Sequence, residues 1–154
     1  MTRRDGVPGA AADPERLAWW RAFDAAHART EAELRRALAD EHELPLAWYR
    51  VLDALAPHAA PRVLGDVATA LGVPLSSLSR QIDRLEALEC VATRRGSAQN
   101  HRHVLVQLTP AGRDLWKRAT TTVRQTLRRR VLRGIDPADL GEEAARAALI
   151  APEG

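Results

Sequence analysis

The sequence predicts a mainly α-helical fold with one small β-hairpin, and three observations lead to that fold class. Alanine (29 residues) and leucine (20) far outnumber valine and isoleucine (13 together); the first two favour helices, whereas the last two favour strands. Three Asp-Pro or Thr-Pro steps, at residues 13–14, 109–110 and 136–137, place a capping oxygen before a proline suited to the first helical position. Residues 103–109 alternate apolar and polar side chains, which is the pattern of a half-buried strand.

The first helix is expected from Pro14 to Asp40, a stretch with no glycine and no internal proline. At 1.5 Å per residue it would be ~40 Å long, which is longer than a small domain is wide. A chain of 154 residues is too short to cover all of its apolar side chains, which include Leu17, Trp20, Phe23, Leu34 and Leu38. We therefore expect residues 14–43 to form a dimerisation helix that a second copy of the chain covers, after a flexible N-terminus of residues 1–13.

The next three helices include the pattern of a helix-turn-helix. A helix is expected from Leu46 to Ala56, a short one from Leu64 to Leu71 that Gly72 stops, and a longer one from Leu75 to Leu88. Two helices joined through a glycine-containing turn of about three residues are typical of a helix-turn-helix. The apolar face of the longer helix is expected to carry Leu75, Leu78, Ile82 and Leu85.

The opposite face of that longer helix carries hydroxyl and guanidinium groups. Helical periodicity places Ser76, Arg80 and Arg84 away from the apolar stripe. Hydroxyls and forked guanidinium groups are the groups that read base edges and hold phosphates. We predict that this face contacts DNA through Ser76, Ser77, Ser79, Arg80 and Arg84.

A basic β-hairpin is expected directly after the helix-turn-helix. Its strands are Val91–Arg94 and His103–Thr109, and a polar, basic tip of residues 95–102 joins them. A helix-turn-helix followed by such a hairpin is a winged helix-turn-helix, which we expect over residues 44–109. The wing residues predicted to contact DNA are Arg94, Arg95, His101 and Arg102.

Two further helices are expected, from Pro110 to Leu132 and from Pro137 to Ile150. We expect residues 110–154 to join the first helix in dimerisation. The longer of the two carries a basic stripe, interpreted as a solvated face, that consists of Arg113, Lys117, Arg124 and Arg128.

The charge distribution favours a polyanionic partner. The net charge of the whole chain is +3, but residues 80–133 hold 12 arginines and Lys117 against four acids, a net charge of +9. The segments before and after this block carry net charges of −2 and −4. A block this basic indicates a nucleic acid more than a substrate pocket.

Other classes of protein are disfavoured by what the sequence lacks. No run of ~18 apolar residues is present and no secretory signal is recognised, so we expect a cytoplasmic protein with no membrane partner. The single cysteine, Cys90, excludes an intramolecular disulfide, and its apolar surroundings predict a buried, unreactive thiol. There is no glycine-rich phosphate loop, nucleophile elbow or pair of carboxylates in an apolar setting, so neither an enzyme nor a cofactor is predicted. His101 and His103 share a strand face without further ligands, so no metal site is expected.

An ordered set of segments resembles the MarR family of bacterial transcriptional regulators. The segments are LPLAWYRVL (44–52), LGDVATALGV (64–73), SRQIDRLE (79–86), Arg102, and VQLTPAG (106–112). The resemblance covers roughly residues 15–150 and implies a homodimer of winged helix-turn-helix subunits whose terminal helices form the dimer. It also implies that the helix 75–88 is the recognition helix, that Arg102 is a wing-tip arginine entering the minor groove, and that a small, often phenolic, ligand releases the DNA.

Three positions depart from the family pattern. Asn100 replaces an aspartate that steadies the wing arginine, Glu89 replaces a glycine that ends the recognition helix, and Pro45 replaces a threonine that caps the second helix, expected from Leu46 to Ala56. A left-handed backbone at Glu89 would cost about 1 kcal/mol relative to glycine. We expect these departures to affect the wing rather than the base-reading face.

The sequence therefore predicts a sequence-specific regulator that binds double-stranded DNA at a pseudo-palindromic operator. We expect a homodimeric repressor that a phenolic or carboxylate ligand releases from DNA. The alternative is a helical protein-interaction module that has lost DNA binding. The candidate ligand residues, expected near the junction of the dimerisation and DNA-binding parts, are Trp20, His27, Trp48 and Arg50, the last as a partner for a ligand carboxylate.

Overall fold

The fold is mainly helical and contains one small antiparallel sheet, as the sequence predicts. The computed structural model describes residues 13–95 and 104–131. The flexible N-terminus, the wing tip with Asn100, His101 and Arg102, and the helix expected from Pro137 lie outside the described residues. In chain order the elements are α1 (Asp13–His42), α2 (Leu46–Leu55), β1 (Arg62–Val63), α3 (Leu64–Leu71), α4 (Leu75–Ala87), β2 (Val91–Arg95), β3 (Val104–Leu108), α5 (Pro110–Thr126) and a π-helical turn (Leu127–Val131).

The helix boundaries follow local signals in the sequence. Helix α3 has the predicted limits, α2 and α4 each end one residue earlier than predicted, and α1 continues to His42. Gly72 ends α3 with a φ of 64°, a left-handed conformation that glycine adopts without steric cost. Helices α2 and α4 begin after Pro45 and Pro74, and neither proline provides a side-chain cap.

The sheet has a third strand that the sequence analysis did not predict. Strands β2 and β3 form the predicted hairpin, with Val91 opposite Leu108 and Arg95 opposite Val104. The two residues of β1 pair with the other edge of β3, so the strand order is β1-β3-β2. A two-residue strand has no periodicity of its own, and this one is defined only by its partner.

The core joins α1, α2, α3, α4 and β3 around side chains that are almost fully buried. The largest of these are Leu38, Val51, Leu52, Leu55, Val67, Leu78, Leu85 and Val106. Leu75 was predicted on the buried face of α4, and that prediction is wrong because its side chain is 53% exposed. It lies on the apolar side of α4 but is the first residue of the helix, about one turn before Leu78, where the buried part of α4 begins.

Helix α1 packs against α5 at its C-terminal end and is exposed along its N-terminal half. Near the end of α1, the buried Thr122 hydroxyl of α5 donates to Glu41 Oε2 (2.6 Å) and accepts from His42 Nε2 (2.8 Å). In the N-terminal half of α1, every described side chain from 14 to 29 is exposed except Phe23, which is half-buried. Trp19 and Trp20 are 55% and 54% exposed, so the described residues leave the N-terminal half of α1 uncovered, as the sequence predicts, whereas Leu38 is buried in the core.

The end of α4 and the start of α5 are in direct backbone contact. Glu89 follows α4 with a φ of 57°, so the position where the sequence departs from glycine is indeed left-handed. The Thr109 hydroxyl caps α5 by accepting from Gly112 N (3.0 Å) and also donates to the Glu89 carbonyl oxygen (2.5 Å). A Cβ on Gly112 would lie 1.8 Å from the carbonyl oxygen of Cys90, so this contact requires glycine.

Candidate nucleic-acid interface

Helix α4 presents a polar face to solvent because its apolar face is held in the core. Leu78, Ile82 and Leu85 are buried at helical spacing. The turn before α4 is fixed by hydrogen bonds from Gly72 N to the Thr69 oxygen and from Val73 N to the Ala68 oxygen, each 3.1 Å. These contacts set the direction in which α4 leaves α3, as a helix-turn-helix requires.

The predicted base-reading side chains lie along the exposed side of α4. Ser76, Arg80 and Arg84 are exposed, and Ser77 and Ser79 are half-buried. Within residues 13–95 and 104–131, neither Arg80 nor Arg84 forms an ion pair. Both guanidinium groups are therefore free of carboxylate partners in this part of the chain.

Strand β2 adds two more basic groups near the wing tip. Arg94 and Arg95 are exposed, and Arg95 forms the last described pair of the hairpin, opposite Val104. His101 and Arg102, which complete the predicted wing contacts, lie outside the described residues. Their contacts with DNA stay predictions.

A hydrogen-bonded connection between α4 and β2 was not found from the sequence. Glu86 Oε1, in the last turn of α4, accepts from both the backbone nitrogen (3.0 Å) and the hydroxyl (2.7 Å) of Thr93. The sequence signals this contact only by placing an acidic residue, Glu86, within a basic segment. The pairing itself depends on the turn at residues 88–90, which sequence periodicity does not specify.

Within residues 13–95 and 104–131, the four predicted ligand residues do not line one pocket together. Trp48 lines an open cleft of about 490 Å³ beside α4, together with Arg80, Gln81, Asp83, Arg84 and Ala87. Arg50 is two residues further along α2, about 200° around the helix, and it faces α1 instead. The structure thus places Trp48 beside α4 and Arg50 against α1.

Arg50 already has a carboxylate partner. Its guanidinium group donates a hydrogen bond to Glu31 of α1, and this bond holds the pKa of the Glu31 carboxyl below its ordinary value. His27 lies one helical turn before Glu31 and lowers that pKa further. Trp20 lies further towards the start of α1, where it packs beside Phe23 with ring centroids 5.9 Å apart.

Part of the basic stripe on α5 was misinterpreted from the sequence. Lys117, Arg124 and Arg128 are exposed, as a solvated face requires. Arg113 is instead partly buried, and its Nη1 donates to the carbonyl oxygen of Ala56 (3.0 Å) at the C-terminal end of α2. A cation there satisfies a carbonyl that the helix leaves free and interacts favourably with the helix dipole.

Cys90 is buried, as the sequence predicts. Burial raises the pKa of its thiol above the ordinary value, and its Sγ lies 3.5 Å from the Leu88 carbonyl oxygen. Among the described residues, no group of three or more histidine, cysteine or acidic side chains is arranged to hold a metal ion. None of the described helices is long and apolar enough to cross a membrane.

The helix-turn-helix, its exposed arginines and the adjoining hairpin define a winged helix-turn-helix protein, a class that binds DNA. The family model described as "MarR family" matches residues 42–103, the segment that runs from the end of α1 to the wing. Over that segment the chain is similar to the MarR family of transcriptional regulators, the family that its sequence resembles. No curated protein sequence matches it.

Solved structures of MarR-type regulators share the fold over nearly the whole chain. BldR from Sulfolobus solfataricus superposes with a TM-score of 0.76 at 23% identity, covering 88% of this chain and 94% of BldR. Sco3205, a MarR family regulator from Streptomyces coelicolor solved in complex with DNA, superposes with a TM-score of 0.74 at 23% identity, covering 94% of this chain and 91% of Sco3205. BpsR is a protein from Bordetella bronchiseptica whose DNA binding is regulated by 6-hydroxynicotinic acid. It superposes with a TM-score of 0.69 at 27% identity, covering 86% of this chain and 95% of BpsR.

Proposed function

We propose that this protein is a sequence-specific transcriptional repressor that binds double-stranded DNA as a homodimer. The observation that carries the proposal is the pair of exposed arginines on α4, Arg80 and Arg84, which lack carboxylate partners in the described part of the chain. The second helix of a helix-turn-helix is the one that enters the major groove. Arginine forks bind guanine O6 and N7 there and distinguish one base pair from another.

The wing supplies the second set of contacts. Arg94 and Arg95 are exposed at the end of β2, and we propose that His101 and Arg102 contact the same DNA. Arginines in a narrow A·T-rich minor groove are attracted by its enhanced negative potential. The DNA complex of Sco3205 supports a winged helix of this fold as a DNA-binding unit.

The uncovered half of α1 supports a second copy of the chain as partner. Leu17, Trp19 and Trp20 are all about half exposed on a helix that extends beyond its own core. Apolar side chains at this density are typical of a surface that another protein covers. A two-fold dimer would place two α4 helices in successive major grooves, so the operator should be pseudo-palindromic with half-sites about one helical turn apart.

A small aromatic ligand with a hydroxyl or carboxylate group is our proposed effector. BpsR, at 27% identity, has its DNA binding regulated by 6-hydroxynicotinic acid, whose name describes this chemistry. The proposed contacts are Trp20, His27, Trp48 and Arg50. A carboxylate that binds Arg50 must compete with Glu31 for the guanidinium group.

The test starts with selection of duplex DNA by the purified full-length protein, followed by sequencing of the bound fraction. Affinity for the selected site is then measured for Arg80→Ala, Arg80→Lys and a control, Lys117→Ala, in the exposed stripe of α5 that is interpreted as a solvated face. Arg80→Ala should weaken binding by ~1–3 kcal/mol and relax base preference at one position. Arg80→Lys should retain the charge but lose the bidentate fork, and therefore lose the same preference.

Three outcomes would each contradict a part of the proposal. A uniform loss across all sequences in Arg80→Ala would make Arg80 a phosphate contact and not a base contact. If the wild-type protein selected no sequence and bound duplex DNA without salt dependence, the protein-interaction module would be the better interpretation. Light scattering that gave a monomer mass at micromolar concentration would exclude the homodimer.

A further inference from the structure

Glu86 is one of two exposed acidic residues on α4, the other being Asp83. Glu86 lies two residues after Arg84, and Thr93, which it contacts, directly precedes Arg94. A carboxylate there repels phosphate, so its presence needs a reason other than DNA contact. The reason visible in the structure is its pair of hydrogen bonds to Thr93, of 3.0 and 2.7 Å.

One of those hydrogen bonds satisfies a backbone donor at the edge of the sheet. Strand β2 lies at the edge of the β1-β3-β2 sheet, so its outward-facing backbone N–H groups have no strand beside them. Thr93 N is such a group, because it donates to Glu86 and not across the hairpin to β3. One carboxylate oxygen thus accepts from both the backbone and the side chain of the middle residue of β2.

We infer that Glu86 is a positioning residue that sets the angle of the wing relative to the recognition helix. This inference rests on the proposed DNA-binding function. Arg80 and Arg84 lie on α4, whereas Arg94 and Arg95 lie on β2, and the two pairs must meet the same duplex. Glu86 connects the two elements by side chain within seven residues of sequence, so it fixes their geometry before DNA binds, which reduces the entropy lost on binding.

Two substitutions separate positioning from charge. Glu86→Gln removes the negative charge but keeps an oxygen that accepts both hydrogen bonds from Thr93. Glu86→Ala removes the charge and the acceptor together. If only charge matters, both variants bind DNA more tightly than the wild type, because both lose the same repulsion. If positioning matters, they diverge.

The experiment measures the affinity of the full chain for its selected operator as a function of salt concentration. Glu86→Gln should bind as tightly as the wild type or more tightly, with an unchanged base preference. Glu86→Ala should bind three- to tenfold more weakly, with a salt slope shallower by about 0.9 for each phosphate that the wing no longer neutralises. Thr93→Val removes the hydroxyl but keeps the backbone donor, and should fall between the two.

A DNA-free readout keeps the inference separate from the proposed function. In Glu86→Ala the amide of Thr93 should exchange with solvent faster, while the amides of the buried turns of α4 keep their protection. Thermal unfolding of each variant shows whether a loss of affinity reflects a loss of fold. Equal affinities and slopes for Glu86→Ala and Glu86→Gln, or unchanged exchange at Thr93, would overturn the inference. A wild-type protein that shows no salt-dependent binding would contradict the proposed function itself, and the DNA-positioning role with it, even where the exchange result shows that the Thr93 contact exists.

Discussion

Replacing Gly112 with alanine should destabilise the fold, although alanine is the better helix former. Gly112 is the third residue of α5, and an alanine in a helix is favoured over glycine by about 1 kcal/mol. The added Cβ would lie 1.8 Å from the Cys90 carbonyl oxygen and 2.7 Å from its carbonyl carbon. Real Cβ contacts stay beyond 3.0 Å, so the backbone of α5 or of Cys90 must move by more than 1 Å.

The magnitude follows from what that movement disrupts. Overpacking against a backbone that has no free rotamer costs about 1–3 kcal/mol. The same shift weakens the Thr109 cap on Gly112 and the Thr109 bond to Glu89, which contribute about 0.5–1.5 kcal/mol each. After the propensity gain of about 1 kcal/mol is subtracted, Gly112→Ala should lower the free energy of unfolding by about 1–5 kcal/mol.

Urea unfolding followed by far-ultraviolet circular dichroism measures this change, at one fixed protein concentration because dimerisation would affect it. Gly65→Ala is the matched control, since Gly65 is also helical and a Cβ there would meet nothing within 4 Å. The control should be neutral or more stable by up to about 1 kcal/mol. A Gly112→Ala variant as stable as the control would refute the steric reasoning.

Three further substitutions test other contacts. Glu89→Gly should stabilise the fold by about 1 kcal/mol, because glycine adopts the observed φ of 57° without strain, and unchanged urea midpoints would show that this strain is not present. Arg113→Met should destabilise the fold by about 1–2 kcal/mol through loss of the bond to the end of α2, whereas Lys117→Met, exposed on the same helix, should change stability by less than about 0.5 kcal/mol. Arg50→Gln should raise the pKa of Glu31 towards its ordinary value of 4.5, as followed by NMR titration, because the guanidinium hydrogen bond lowers that pKa. Since the folded pKa is lowered, the stability that the Arg50–Glu31 contact adds is present above the ordinary pKa and is lost as the pH falls through the folded one; a titration unchanged by the substitution would contradict the assigned cause.

The sequence predicted the elements whose signals are local. Gly72 and Thr109 marked helix boundaries through their own backbone and side-chain chemistry, and the periodicity of α4 separated its buried face from Arg80 and Arg84. The strand β1 was missed because pairing with β3, more than 40 residues away, defines it. Leu75 was placed in the core because periodicity gives the side of a helix but not where the core ends.

The candidate site was predicted as a surface but not as a set of contacts. The exposed arginines of α4 follow from helical angle alone. Arg113 and Glu86 acquired partners, Ala56 and Thr93, through the packing of separate elements, and a single sequence shows no pattern for such contacts. The same reason explains why the predicted ligand residues do not form one site. Trp48 and Arg50 are close in sequence, but Trp48 faces α4 and Arg50 faces α1.

The direct contact between Gly112 and the Cys90 carbonyl also makes the start of α5 a pivot. No side chain lies between the two backbones there, so any displacement of α5 past the exit of α4 acts directly on the backbone of Cys90. From Gly112 to the end of α5 at Thr126 the helix rises ~21 Å, so a tilt of about 5° displaces its far end by about 2 Å. A small change of angle at the start of α5, where the helix contacts the segment joining α4 to the wing, therefore becomes a much larger displacement at its far end.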